Sequence, residues 1–419
     1  MKLDKWTLKK WDEFLVDFDR LFWDRRHIPV FRRALQGLIA AESPIILKIG
    51  GTLPHHCQSN FHAARPFYRL LGKTPKGVDK FSAIDILETL YQKTYEVYQD
   101  CEKPILIAMD LTSLEKPYTV DSEGICLVEK NDKSGEVNGY MLITGLALGD
   151  VGMANNNGKK GLVYFKVFSH QLELMSQNAE RALCIKEIKK LFKGKRLRYV
   201  SDRGFDDKKA FQEFIGEEGD EFIVRAYQNR LIKVNGEERK LLEYVRGLEC
   251  CLSFDTELKI KRRRQKVKID LSIGAFKYEG MKLWVVRNVI RGFKEEWVLI
   301  TNVPVLNFDI ALEIWRNYTR RWGIEDFYKF TKNNLNLEVF QVDELEKIRK
   351  VLSWVAVAGA FLYDLGVDIT EPYIKLLLDL GGFAGRKRDK PGKGTLERGL
   401  SRLFIAMMVN EKLKLNDTS

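Results

Sequence analysis

The chain has 419 residues, 45% of them hydrophobic and 31% charged, which suits a folded protein of roughly two to four structural units and excludes a disordered one. With 70 Lys+Arg against 58 Asp+Glu the formal net charge is +12, a basic excess mixed with many acids and so concentrated in patches suited to a polyanion. No run approaches the ~18 uninterrupted apolar residues of a membrane span.

Residues 1–95 read as a helical region. Trp6, Trp11, Phe14, Leu15, Phe18, Leu21 and Phe22 recur at helical spacing, HIPVFRRALQGLIAA follows, and a third helix is expected at Ala83–Tyr98. Arg25, Arg26, Arg32 and Arg33 suit either a solvated face or a small DNA-binding helical region, and the basic chain favours the second. The opening MKLDKWTLKKWDEF lacks a signal-peptide apolar core. Six scattered cysteines with no CxxC fit reduced thiols in a cytoplasmic protein. His55, His56, Cys57 and His62 are the one metal-like group, but adjacent ligands cannot easily converge on one ion, and a loop or helix start is the better reading.

Residues 96–228 change character. PILIAMDLTS is an apolar run that ends in Asp110 as if at a strand tip; GYMLITGLALGD (139–150) and GLVYFKVFS (161–169) read as two strands joined by the turn-rich NNNGKKG. An amphipathic helix over Ser176–Lys193 follows, then LRYVSDRGF as a strand ending at Asp202, a helix near 206–216, and DEFIVRA as a strand. Three strands, helix, strand, helix, strand is the order of an α/β, ribonuclease H-like core with a mixed sheet between helices.

Residues 229–304 are rich in Val, Ile, Tyr, Phe and Trp and read as a β-rich insertion. Within it Lys259, Lys261, Arg262, Arg263, Arg264, Lys266 and Lys268 form a basic strand or hairpin, denser in charge than edge protection needs and suited to a phosphate backbone. Residues 305–345 return to the core with one helix from near Asp309 to about 333. Residues 346–419 read as helices at Leu345–Leu365, Tyr373–Leu380 and near Thr395–Lys412, with a Gly/Lys/Arg loop before the last.

On that core helix Tyr318, Arg321, Glu325 and Lys332 stand at offsets 0, 3, 7 and 14. At ~100° per residue, 318, 325 and 332 fall within roughly 40° of one line and 321 about 60° from it. A phenol, a guanidinium, a carboxylate and an ammonium on one stripe make poor core and a plausible surface for phosphates beside a metal. Asp110 and Asp202 would meet Glu325 at one edge of the sheet, and three converging acids call for cations. Mg²⁺ is the natural partner, and a pair of such ions runs in-line phosphoryl transfer. Each acid also has a plain reading: Asp110 as a turn former, Asp202 as a helix cap. Asp206 and Asp207 are rivals to Asp202, and Asp326, pointing elsewhere, is a rival to Glu325.

The segments MDLTS, YVSDRGF and YTRRWGIEDFYKFTK together resemble the three catalytic blocks of bacterial DDE transposases of the insertion-sequence-four family. The last fits that family's spacing of Tyr, two residues, Arg, three residues, Glu, six residues, Lys. The resemblance covers roughly 100–345 and is vague at both ends. It implies Asp110, Asp202 and Glu325 as ligands of two Mg²⁺ ions, with Mn²⁺ able to substitute, and Tyr318, Arg321 and Lys332 as grips on phosphates of the DNA end. Arg203 matches the block around Asp202 as a further phosphate or acid contact. Trp297 matches by position the insertion-domain aromatic that receives a flipped base, with Trp284 a second candidate; ordinary β packing is the alternative for both. The implied activity is cut-and-paste transposition: cleavage at terminal inverted repeats, a hairpin intermediate, and strand transfer into target DNA. It would be carried out by a homodimer in a synaptic complex, in the cytoplasm and nucleoid-associated when on DNA. SWVAVAGAFLYDL in the C-terminal region is either part of that dimer interface or core. The alternatives are a catalytically silent transposase-derived DNA-binding protein or inhibitor, against which the full set of acids speaks, and another ribonuclease H-like nuclease, against which the insertion and the Tyr/Arg/Lys stripe speak.

Overall fold

The structure is a computed structural model that describes residues 2–52, 59–149, 159–172, 176–216, 218–227, 229–260, 263–293, 296–366, 371–383 and 393–416. Among the described residues five helices open the chain: α1 (Leu3–Asp19), α2 (His27–Ala41), α3 (Ile46–Thr52), α4 (Asn60–Leu71) and α5 (Ala83–Tyr98). There follow β1 (Ile105–Glu115), β2 (Cys126–Glu129), β3 (Glu136–Leu148), β4 (Lys160–Phe168), α6 (Gln177–Leu191), β5 (Leu197–Ser201), α7 (Lys208–Ile215) and β6 (Glu221–Arg225). The next stretch is almost all strand: β7 (Leu231–Val234), β8 (Glu237–Lys240), the short α8 (Leu241–Arg246), β9 (Leu252–Ile260), β10 (Arg263–Tyr278), β11 (Met281–Ile290) and β12 (Glu296–Thr301). Five helices close it: α9 (Phe308–Arg320), α10 (Trp322–Asn334), α11 (Leu345–Leu365), α12 (Pro372–Leu380) and α13 (Lys393–Asn416).

All the strands belong to one mixed sheet, in the order β2-β3-β1-β5-β6-β12-β11-β10-β7-β8, with β4 also on β3 and β9 on β10. β1 is antiparallel to β3 and parallel to β5, and β5 is parallel to β6. The strands between 229 and 304 do not stand apart: β12 pairs antiparallel with β6, so they carry the same sheet onward.

Side chains alternate across a strand, and here that period sorts the core into two layers. Leu106, Ala108, Val200, Ile223, Leu299, Val286 and Leu271 bury on one face, beneath the N- and C-terminal helices. Ile107, Tyr199, Val224, Ile300 and Val285 bury on the other, beneath α6, α7 and α8. Helix α11 lies in the first layer and is buried almost all round, with Trp354, Val355, Ala356, Val357 and Ala358 fully enclosed. Trp11 meets Phe361 edge-on at 4.8 Å and Phe404 at 5.4 Å, tying α1 to α11 and α13. SWVAVAGAFLYDL is therefore core of this chain rather than an open surface.

Two expectations need correcting. Asp110 is not at a strand tip: β1 continues five residues further, to Glu115, pairing with β3 all the way. The single helix expected over 309–333 is two, because Arg321 separates α9 from α10. The amide of Arg321 donates to the Tyr318 carbonyl and that of Ile324 to the Arg321 carbonyl, both three-residue bonds that interrupt the four-residue ladder. Gly323, a weak helix former, follows at once. It has a packing use, since a Cβ there would lie 2.9 Å from Leu148 Cδ2 and 3.2 Å from Lys160 Nζ, so the bare backbone lets α10 approach the sheet.

Candidate active site

The convergence of Asp110 and Asp202 follows from strand register. Met109 pairs with Ser201, the last pair before β5 ends. Asp110 and Asp202 are each the next residue, so they lie side by side where the two parallel strands part. In-register neighbours share a face; Asp110 follows the parity of Leu106 and Ala108, and Asp202 that of Val200. That is the face covered by α9 and α10, whose Ile314, Tyr318, Ile324 and Phe327 bury against it. The third acid, Glu325, rides on α10 with its side chain about half exposed.

Arg321 joins the set. Its guanidinium bonds the Glu325 carboxylate one helical turn on and lies 4.0 Å from Asp110 Oδ2, with only 8% of the side chain exposed. It also faces the Tyr318 ring at 5.7 Å. Burial alone would pull this guanidinium's pKa down, but Tyr318, Glu325, Asp110 and Asp202 outweigh it and hold the cation charged. Asp110 is pushed up to about 7, by burial first, then by the charges of Asp202 and Glu325, with Arg321 opposing. Its Oδ1 accepts from the Leu111 amide at 3.0 Å, and its backbone carbonyl accepts the Tyr328 hydroxyl at 3.0 Å, which fixes β1 against α10. Asp202 Oδ1 accepts from the Gly204 amide at 2.9 Å, so it does cap the 3-10 turn Arg203–Phe205 while standing beside Asp110.

The rival acids are occupied elsewhere. Asp206 is buried, 2.6 Å from Arg230, and accepts from the Tyr227 amide. Asp207 caps α7 through the Ala210 amide and pairs with Arg181 at 2.7 Å. Asp326 is exposed.

The polar stripe is mostly interior rather than surface. Tyr318 is 2% exposed and Arg321 7%. Burial raises the Tyr318 pKa, with Arg321 and Arg225 opposing. Lys332 points to β1: its ammonium donates to Thr112 Oγ1 at 3.0 Å and the Ser113 carbonyl at 2.7 Å, and pairs with Glu338 at 3.0 Å. Trp297, 7% exposed, meets Tyr318 and Trp322 edge-on at 5.6 and 5.7 Å, with the Arg225 guanidinium 5.7 Å from its ring. It presents no open face to a base in this conformation. Trp284 is half-buried under the Lys282 ammonium. Arg203 is half-buried, with its Nε enclosed and unbonded. Arg262, like His55, His56 and Cys57, lies outside the described residues; Arg263 and Arg264 begin β10 opposite Ile260 and Lys259. Further along that hairpin Lys266 stands opposite Glu257 and Lys268 opposite Asp255, so acids balance part of its charge. Among the basic residues of the N-terminal helices, Arg32 is held by Asp12 and Asp19, and Arg26 by Asp24.

Sequence reasoning missed Tyr328 and Arg225. Tyr328, three residues past Glu325, had a signal in its helical phase; Arg225 follows from β6 ending level with β5, which only strand pairing shows. Among the described residues no three His, Cys, Asp or Glu side chains already surround a common metal position. The donors nonetheless suit a hard divalent ion: three carboxylates, one of them raised in pKa by burial and then by the other two, and one exposed enough to turn.

No protein-family model matches the chain. Among solved structures it is similar to a piggyBac transposase synaptic complex with hairpin DNA, determined by cryo-electron microscopy, at 10% sequence identity and a TM-score of 0.42. The match covers 78% of this chain, which spans 59% of that transposase chain's length. Values this low establish neither a common family nor a common chemistry.

Proposed function

We propose that this chain is a metal-dependent DNA transposase of the DDE type, with Asp110, Asp202 and Glu325 as its catalytic carboxylates. The observation that carries the reading is the register of β1 on β5, which sets two acids next to each other on the face where the Glu325 helix lies. The strand order β4-β3-β1-β5-β6, with β3 antiparallel to both its neighbours β4 and β1, and β5 and β6 parallel to β1, supports a ribonuclease H-like core. The spacing of Tyr318, Arg321, Glu325 and Lys332 supports the insertion-sequence-four family. On this reading 229–304 is the insertion and 1–95 a DNA-binding region, and two copies of the chain hold two DNA ends.

The reaction is a series of phosphodiester exchanges. A water attacks phosphorus at the element's end, the P–O3′ bond breaks, and a 3′-hydroxyl is released. That hydroxyl then attacks the opposite strand to close a hairpin, forming one P–O bond for the one broken. A second water opens the hairpin and frees the 3′-hydroxyl again, which attacks target DNA by the same one-for-one exchange. Two Mg²⁺ ions, or Mn²⁺, held by the three carboxylates would supply the Lewis acidity that activates the attacking hydroxyl and offsets charge on the leaving oxygen. Asp110 and Asp202 give a fixed pair of donors on rigid strands, while Glu325 brings the third on a helix. Arg321 offsets their mutual repulsion before anything binds and remains as a cation beside the scissile phosphate. Tyr328 and Lys332 hold α10 to β1 so that Glu325 returns to one place.

The test is end cleavage. Labelled duplexes carrying the sequences that flank the coding region are incubated with the protein and Mg²⁺ or Mn²⁺, alongside Asp110→Asn and Glu325→Gln. Metal-dependent nicking, lost by at least about a hundredfold in both variants, is the expected result. Cleavage that survives Glu325→Gln would sink the assignment. Salt-sensitive binding without cleavage in either metal would favour a silent, transposase-derived DNA-binding protein.

A further inference from the structure

The face of the sheet that carries Asp110 and Asp202 carries, at its far end, a feature that folding alone does not explain. Lys277 of β10 stands directly opposite Lys282 of β11 on one side and directly opposite Lys233 of β7 on the other. Direct antiparallel partners point to the same face, so three ammonium groups form one row across three strands. Like charges directly opposite one another destabilise a sheet. All three side chains are exposed. Lys233 has one weak partner, Glu238 at 3.9 Å, with both more than half exposed. Lys282 lies 5.1 Å from the Trp284 ring, and Lys277 has no carboxylate partner among the described residues.

Edge protection is the usual reason for lysine on a strand, and it fails here because Lys277 is paired on both sides. The nearby acids balance the row only in part: Glu238 stands directly opposite Lys233 on β8 and offsets one charge at 3.9 Å, while Glu279, in the β10–β11 turn, is taken by Lys208 at 3.1 Å. Around the row a cleft of about 1240 Å³ opens between the β7–β8 turn at Asn235–Gly236 and the β10–β11 turn at Glu279–Gly280, with Tyr227 half-exposed on its wall.

We propose that Lys233, Lys277 and Lys282 form a second phosphate-backbone site, which holds a stretch of DNA duplex away from the segment being cut. The spacing fits: two strand separations of ~4.8 Å set the row at roughly 10 Å, and one DNA strand presents a phosphate every ~3.4 Å of axis, about three over that length. Three strands, β6, β12 and β11, lie between β5 and β10, and the four strand separations set Lys277 on the order of 20 Å from the acids, too far for one phosphate to touch both. Trp284, next to the row on the same face, adds an apolar wall. The site rests on the DNA reading above, but on none of its catalytic residues.

The experiment is salt-dependent binding of a fluorescent 30-base-pair duplex to the full-length protein in EDTA, followed by anisotropy. The variant Lys233→Gln/Lys277→Gln/Lys282→Gln is compared with Lys186→Gln/Lys190→Gln/Lys193→Gln, which removes the same charge from α6 and its C-terminal end on the opposite face. The row variant should lower the slope of log K against log salt by about 2–3 and weaken binding about 10- to 300-fold at 0.1 M salt; the α6 variant should change the slope by less than about 1. Replacing the three by arginine should restore the slope, which a folding defect would not allow. Equal slopes for the row and α6 variants would overturn the site while leaving the DNA reading intact. A wild-type protein that binds no duplex would overturn both.

Discussion

Two of the raised carboxyls among the described residues, Asp110 and Glu397, sit in different surroundings. At the sheet, Asp110 stands beside Asp202 with Glu325 near, its pKa is up to about 7, and a buried guanidinium reaches two of the three acids. Between α13 and the end of α2, Glu397 is fully enclosed and faced by Glu42, Asn334 and Arg398. Its pKa is pushed up to about 8, by burial first and the Glu42 charge second, with Arg398 and Asn334 opposing. A raised carboxyl is thus not by itself a mark of chemistry. Only the first group has an exposed member, two donors fixed by strand register and a cation held in reserve. The second is a protonated acid inside a helical core.

Removing the cation should have the largest effect. Arg321→Leu leaves Asp110 and Glu325 without their counter-charge in a partly dry site, and breaking such a pair costs about 3–5 kcal/mol. The size of the loss from Asp110 depends on pH. Without the guanidinium the Asp110 pKa rises further, so below its present value of about 7 the acid is protonated and little is lost; above it the charge must be carried uncompensated. Urea unfolding in EDTA should therefore show a deficit that grows from pH 6 to pH 8.5. An equal deficit at both pH values would make Arg321 a packing residue and remove the electrostatic contrast between the two groups.

The Glu397 group is sharpened by the opposite kind of change. Its folded pKa of about 8 lies above the ordinary glutamate value of 4.5, so the unfolded chain sheds the proton first. Stability is unaffected below pH 4.5, falls as pH rises from 4.5 to 8, and levels off above that, by at most about 5 kcal/mol. Glu397→Gln removes this slope. We expect it to match the wild type near pH 4.5 and to be more stable by roughly 2–4 kcal/mol at pH 8.5, with DNA binding unchanged. A variant less stable than wild type at pH 8.5 would mean that the carboxylate is ionised and paired in the fold.

Much of this was legible beforehand. The helices at His27–Ala41, Ala83–Tyr98 and Leu345–Leu365 have the bounds read from sequence, since apolar period and flanking residues are local signals. The β3–β4 pairing was equally plain. Register was not. Nothing local says that β1 runs on to Glu115 while β5 stops at Ser201, yet that mismatch opens the site. Nor could a helical wheel show that Arg321 breaks the helix and turns inward, because its partners are 4 residues away on one side and over 200 away on the other. The lysine row was invisible for the same reason: Lys233, Lys277 and Lys282 meet only through pairing.

Lys332 is where sequence and structure differ most usefully, and its effect should be the smallest. From the stripe it was expected to grip phosphate; in the fold its ammonium is spent on Thr112 and Ser113, two and three residues along β1 from Asp110, and on Glu338. As a tie between α10 and β1 it should be worth about 1–2 kcal/mol, more than a surface pair and less than a fully buried one. Lys332→Met should lower unfolding free energy by that amount and slow metal-dependent cleavage through a looser Glu325, without changing the salt slope of duplex binding. If instead stability holds and the slope falls by about 1, the ammonium leaves Glu338 for DNA, and the tie at the edge of the acid site is a contact that substrate breaks.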